Sequence, residues 1–220
     1  MRQWTRPDGR CFVFGEPDDD LPPGRVYATT AEGDEARVRA LGGRGFAVCR
    51  RELVLELPTD PAAWSVPAAE TPPPGVAFVR ADRFAEARLR ALDDLLRHDV
   101  PGTEGWRWSP EGFREETYES PDFDPATYLV AVDEASEGIG IARIWMRRDG
   151  PRLGLIGVRS DWRRRGVARA MLAAILTEVA RRGVATVRTE VDEANVASRT
   201  LLFGFGGRTV GASVELVRDG

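Results

Sequence analysis

The run RLGLIGVRSDWRRRGVARAMLAAILTEVARRG, residues 152–183, leaves few folds open. It begins with a short apolar segment, RLGLIGV, that reads as a buried strand. After a turn, Ala168, Met171, Leu172, Ile175 and Val179 recur on one helical face, and Gly183 is the expected C-terminal cap. A strand feeding a helix through a tight turn predicts an α/β chain. The turn itself carries Arg163, Arg164 and Arg165, then Gly166. The first N–H groups of a helix have no intrahelical partner, and the dipole adds positive charge there. Gly166 lets the backbone swing close to a ligand, and Ala168 keeps the next approach small. The combination is suited to an anion. Read alone, a solvated arginine run explains the turn better, so its place in the chain has to decide.

The rest of the chain makes the basic turn local. The 220 residues carry a formal net charge of −4, so a nucleic-acid partner is not expected. The chain has no lysine, and all 31 basic residues are arginine, a usage typical of GC-rich coding. A phosphate-binding loop that needs lysine is thereby excluded. GIGIAR, residues 138–143, lies in a strand pattern and lacks the third glycine of a dinucleotide fold. Cys11 and Cys49 are far apart without metal-ligand spacing, so no disulfide framework or metal site is expected, and a reducing cytoplasm fits. The opening MRQWTRPDGR has no apolar stretch of the signal-peptide kind, and no run approaches the ~18 apolar residues of a membrane span. His98, the single histidine, reads as a helix-end residue.

Proline interrupts the pattern between 58 and 75, which predicts a linker between an N-terminal lobe, 1–57, and a larger unit, 76–220. In the larger unit the periodicities predict a strand at 75–81 and a helix after an Asp82 cap, with Ala85, Leu89, Leu92 and Leu96 inward. An aromatic helix or loop follows at 103–120. TYLVAVD and GIGIARIWMRR then read as paired strands turning at 133–138. The strand–turn–helix run comes next, then VATVRTEV as a strand, NVASRTLLF as a short helix and a closing strand. The whole is a mixed sheet with helices on its faces. Residues 26–48 also echo 187–209 without gaps: strand, acidic turn, short helix, glycine break, strand. Asp34 falls where Asn195 falls, and Gly45 where Gly206 falls. The N-terminal lobe is a partial repeat on this reading, although an Ala/Arg/Gly-rich chain can produce such an echo by chance.

Arg163-x-x-Gly166-x-Ala168 after a strand ending in Val158 resembles the acetyl-CoA signature of the GNAT N-acetyltransferase superfamily. The following helix and strand, then Asn195, Ser198 and Leu201, resemble its second motif, and the element order from 76 onward matches. The resemblance implies the GNAT fold and acetyl-CoA as co-substrate. It implies that Ile156, Gly157 and Val158 face the pantetheine arm. It implies that the segment Arg163, Arg164, Arg165, Gly166, Val167, Ala168 and Arg169 holds the pyrophosphate, and that Asn195 bonds the pantetheine. The reaction implied is direct acetyl transfer to a primary amine of a small molecule or peptide.

The catalytic groups follow less directly. The family's usual tyrosine acid falls on Leu202 here, a departure from the pattern. Glu190, with Asp192 beside it, is the candidate base, a solvated or capping role being the alternative. Trp106, Trp108, Phe113, Glu115 and Glu116 are candidates for an acceptor pocket that favours an amine, with a lid packed on the core as the alternative. No membrane partner is expected, and a homodimer is left open. Two other functions stay open: a lapsed, non-enzymatic acyl-CoA sensor or interaction module, and a thiol-conjugate synthase with tandem GNAT domains.

Overall fold

In the computed structural model, residues 2–15, 21–67 and 71–220 are described. The strands are β1 (Arg2–Thr5), β2 (Cys11–Phe14), β3 (Val26–Ala31), β4 (Ala47–Pro58), β5 (Val76–Arg80), β6 (Tyr128–Asp133), β7 (Gly138–Trp145), β8 (Arg152–Val158), β9 (Thr186–Asp192) and β10 (Arg208–Arg218). The helices are α1 (Glu35–Gly42), α2 (Glu86–Arg97), α3 (Pro110–Thr117), α4 (Val167–Arg181) and α5 (Val196–Gly204). The strands form one mixed sheet in the order β1-β2-β3-β10-β4-β9-β8-β7-β6-β5.

Sequence order and sheet order part company in the middle. The last strand, β10, lies between β3 and β4, and β4 pairs antiparallel with β9 from Glu52↔Asp192 to Pro58↔Thr186. The N-terminal lobe and the larger unit therefore share one continuous sheet. Part of the expected linker, residues 68–70, lies outside the described residues. In the rest of that stretch Trp64 is buried, its ring tilted against Phe205 at 4.8 Å and its Nε1 donating to the Pro58 carbonyl.

The internal echo has a structural counterpart. Asp34 and Asn195 occupy the same position as N-caps of α1 and α5, accepting from the Arg37 and Ser198 N–H groups at 3.0 Å. Gly45 and Gly206 both adopt positive φ in the break that follows. At the same offset, Ala47 opens β4 and Arg208 opens β10. The two β–α–β units interleave, each giving its last strand to the other's side.

Helices cover both faces of the central strands. Val167, Met171, Ile175 and Val179 of α4 pack with Ile139 and Ile144, while Leu89, Leu92 and Leu96 of α2 pack with Ile141 and Leu155. Helix α2 starts later than expected. Asp82 sits in a short 3-10 turn, paired to Arg80, and Ala85 takes the cap position. The carboxylate is drawn off by that arginine, so it does not cap. His98 closes α2, with Nε2 3.2 Å from the Trp106 carbonyl oxygen.

Candidate active site

Strands β8 and β9 run parallel but pair at a single position, Arg152↔Arg188. Beyond it they separate. β8 stays bonded to β7 on its other edge, where Ile141 faces Gly157 and Arg159 N–H donates to the Ile139 carbonyl. In such a ladder alternate residues direct their N–H and C=O to opposite edges. If Arg159 points to β7, Val158 and Ile156 point their peptide groups into the gap. The Val158 carbonyl is taken there by Arg163 Nε at 3.0 Å. Gly157 also lines a cavity, next to α2, where an added Cβ would lie 3.3 Å from Leu96 Cβ.

The turn after β8 is set by two left-handed residues. Arg164 has φ 60° and Gly166 has φ 82° as N-cap of α4. Gly166 has no neighbour closer than Pro73 at 3.9 Å from an added Cβ, so glycine is required by conformation more than by space. Among the described residues no side-chain cap bond is made at the head of α4. The N–H groups of Val167, Ala168 and Arg169 belong to its first turn, which has no intrahelical acceptors. Arg164 and Arg169 stand exposed beside them. Arg163 is less free than its sequence position suggests, because it is bound to Asp99 as well as to Val158. Arg165 turns away and stacks over Trp162 at 4.7 Å.

A cavity of about 400 Å³ runs along this turn. Its apolar wall includes Leu96, Val100, Ile156, Ala197 and Leu201, and its basic end is Arg163, Arg164 and Arg169. Asn195 lines it from the start of α5. The cap bond occupies its Oδ1, which leaves the side-chain amide N–H₂ as donor to the cavity. The cavity thus joins an apolar wall to a basic end beside the first turn of α4. A second cavity of about 90 Å³, lined by residues 153–156 of β8 and 189–192 of β9, shares Val100, Ile156, Asn195 and Ser198 with the first. It is bordered by Glu52, Glu190, Asp192, Pro101 and Leu202.

Several expected site residues sit elsewhere. Trp106 and Trp108 line neither cavity and sit in the core, the placement given as the alternative to an acceptor pocket. Both indoles are buried, 5% and 9% exposed, and pack edge-to-face at 5.1 Å. Trp108 Nε1 donates to Asp93 at 2.8 Å. Asp93 is fully buried between Arg97 and Arg143. Burial pushes its carboxyl up, but the two guanidinium charges and the Arg97 and Trp108 hydrogen bonds outweigh it and hold it below the carboxylate range. Phe113 is also in that core, and Glu115 and Glu116 are exposed on α3 away from both cavities. Glu190 does border the second cavity, but Arg152 Nε holds its Oε2 at 2.6 Å. Leu202, where the resemblance would put a tyrosine acid, is buried.

Sequence reasoning missed Glu52, Asp99 and the loop Val100–Pro101. The signal for Glu52 was present in ELVLELP, where Leu53, Leu55 and Leu57 alternate with charged or half-exposed positions. It could not be used without the β4–β9 pairing.

Residues 89–205, more than half of the chain, match the model of the acetyltransferase (GNAT) family. No curated protein matches the chain. Similar solved structures include a GCN5-related N-acetyltransferase from Sphaerobacter thermophilus, 21% identical with TM-score 0.71, covering 89% of this chain and 59% of that one. Another is from Kribbella flavida, 17% identical with TM-score 0.57, covering 89% and 68%. A tandem GNAT protein from the clavulanic acid biosynthesis pathway, solved without AcCoA, is 16% identical with TM-score 0.66, covering 89% and 64%. The chain thus spans 59% of the first of these and 64% of the tandem protein, and at such identities the likeness is one of fold. Among the described residues no helix is long and apolar enough to cross a membrane. With its signature turn, split strand pair and family match, the chain belongs to the acetyltransferase (GNAT) family.

Proposed function

We propose that the protein transfers an acetyl group from acetyl-CoA directly to a primary amine of a small molecule or peptide. The family and fold support a general acyl-transfer role. The observation that carries the finer reading is the gap between β8 and β9, where a second cavity adjoins the one at the head of α4 through Val100, Ile156, Asn195 and Ser198. A thioester drawn into that gap would lie beside the second cavity, where an acceptor can meet it. Acetyl-CoA would supply the activated acyl group. The N–H groups of Val167, Ala168 and Arg169 and the cations of Arg164 and Arg169 would hold the diphosphate. The inward peptide groups of Ile156 and Val158 would orient the arm, with an N–H on β8 available to polarise the thioester carbonyl.

The buried leucine at 202 favours one second reading, a GNAT-fold protein that binds acyl-CoA without turnover. Thiol release from acetyl-CoA, followed across an amine panel, separates the two. Amine-dependent release supports the transferase. Stabilisation by acetyl-CoA with no release favours the binding protein, and no stabilisation removes both.

A further inference from the structure

The second cavity is built by both halves of the chain. β4 brings Glu52 to it, and β9 brings Glu190 and Asp192. Its far wall, Val100–Pro101, hangs from the N-terminal half. Arg50 Nη1 donates to the Pro101 carbonyl at 3.0 Å, Arg6 Nη2 to the Gly102 carbonyl at 2.9 Å, and Arg107 N–H to the Pro7 carbonyl at 3.3 Å. Arg6 lies over the Trp106 ring at 4.8 Å, which fixes the same loop from beneath. The N-terminal half, which lacks a phosphate turn of its own, is therefore part of the wall where an acceptor would enter.

Three carboxylates border this cavity, and they differ in what they already hold. Glu190 Oε2 accepts from Arg152 at 2.6 Å, and a proton arriving there has to break that ion pair. Asp192 is buried, with Oδ1 accepting the Ala194 N–H at 2.7 Å in the turn that starts α5. Glu52 accepts once, at Oε1, from Arg50 Nη1 at 2.9 Å. Its Oε2 has no hydrogen-bond partner among the described residues, and its side chain keeps 27% exposure. Arg50 cannot neutralise it alone, since the same guanidinium pairs with Glu215 at 3.0 Å and lies 3.7 Å from Asp192.

We propose that Glu52, carried on β4 from the N-terminal half, is the group that takes the proton from the acceptor amine at the far mouth of the β8–β9 gap. The proposal rests on the transferase reading above and adds a catalytic residue to it. The acceptor ammonium gives one proton to Glu52 Oε2, and the freed nitrogen attacks the thioester carbonyl carbon. The C–N bond forms and the C–S bond breaks. The second proton on nitrogen leaves with the departing thiolate, and Glu52 returns its proton to water.

The surroundings tune the group for that task. Burial pushes the Glu52 carboxyl up, Arg50 pulls it down, and the charges of Glu190, Glu215 and Asp192 push it up again, leaving it raised. The charged groups around it are Arg50 on its own strand, Glu190 and Asp192 on β9, and Glu215 on β10. Val100 and Pro101 of the loop and Gly154, Leu155 and Ile156 of β8 carry no titratable side chain. Deprotonated Glu52 is the active form, so transfer rises as pH rises through its pKa.

The test uses the full chain and its variants Glu52→Gln and Glu190→Gln. Binding of acetyl-CoA is read by calorimetry, folding by thermal unfolding. Transfer is read as thiol release against pH with putrescine, tyramine and a peptide with a free N-terminus as probes. Glu52→Gln should bind acetyl-CoA and unfold as the parent does, because glutamine still accepts from Arg50. Its kcat/KM should fall about 100-fold, within the usual span for loss of a general base, and the acid limb of the pH profile should vanish. Glu190→Gln should keep that limb. An unchanged limb in Glu52→Gln, or a loss confined to Glu190→Gln, overturns the assignment of Glu52. So does acetyl-CoA binding by the parent with no transfer to any probe. Failure of the parent to bind acetyl-CoA overturns the transferase reading itself.

Discussion

Replacing Gly166 by alanine separates the conformational demand of the turn from its packing. The residue stands at φ 82°, and an added Cβ meets nothing nearer than Pro73 at 3.9 Å. Steric relief is therefore not needed, and the cost is the left-handed backbone, about 1–2 kcal/mol for a residue with a Cβ. In a chain of this size that lowers Tm by about 2–8 °C. The strain has one easy outlet, relaxation of φ at the head of α4, which swings the Val167, Ala168 and Arg169 amides off a common target. Losing one or two charge-assisted hydrogen bonds, at about 1.5 kcal/mol each, weakens acetyl-CoA binding by about 10–100-fold. Gly166→Asn, which tolerates the same φ, should recover most of both losses. Differential scanning fluorimetry and calorimetry, with and without acetyl-CoA, read the two effects on the same samples. Alanine with the parent's Tm and the parent's affinity refutes the argument.

Trp106→Ala should cost about 3–5 kcal/mol in denaturant unfolding and leave acetyl-CoA affinity unchanged in calorimetry, because the ring packs the α2–α3 core. Asp93→Ala strands Arg97 and Arg143 and should cost about 3–5 kcal/mol. The folded pKa of Asp93 is depressed, so its contribution is present above the unfolded value of about 3.9 and is lost as pH falls through the folded one. Unfolding curves at pH 7, 5 and 3 should show that slope in the parent and a shallower one in Asp93→Asn. Arg164→Ala should lower acetyl-CoA affinity about fivefold at low salt, with a smaller effect at high salt, as calorimetry in two buffers would show. Gly102→Ala meets the Arg50 guanidinium at 2.6 Å and should raise the acceptor KM in the thiol-release assay more than it changes acetyl-CoA binding.

Local features of the sequence were legible because local forces set them. The strand-to-helix run at 152–183 reads correctly from periodicity, down to Gly183 with its positive φ. The echo between Asp34 and Asn195 anticipates two matching helix caps. Pairing between distant strands leaves no such mark. Nothing in VELVR announces that β10 inserts between β3 and β4, and without that insertion Glu52 has no reason to face β9. The aromatic stretch at 106–113 left pocket and core as alternatives for a related reason. Tryptophan suits a pocket and a core equally, and only the partner Asp93, buried on another helix, distinguishes them. Arg163 looked like a free countercharge because Asp99 approaches it only in three dimensions.

A crystal structure of the acetyl-CoA complex tests the central claim most directly. The diphosphate is expected on the Val167, Ala168 and Arg169 amides beside Arg164, with the pantetheine arm leading between β8 and β9 towards Glu52. A diphosphate bound elsewhere, or a β8–β9 gap closed by side chains with the arm outside it, contradicts it.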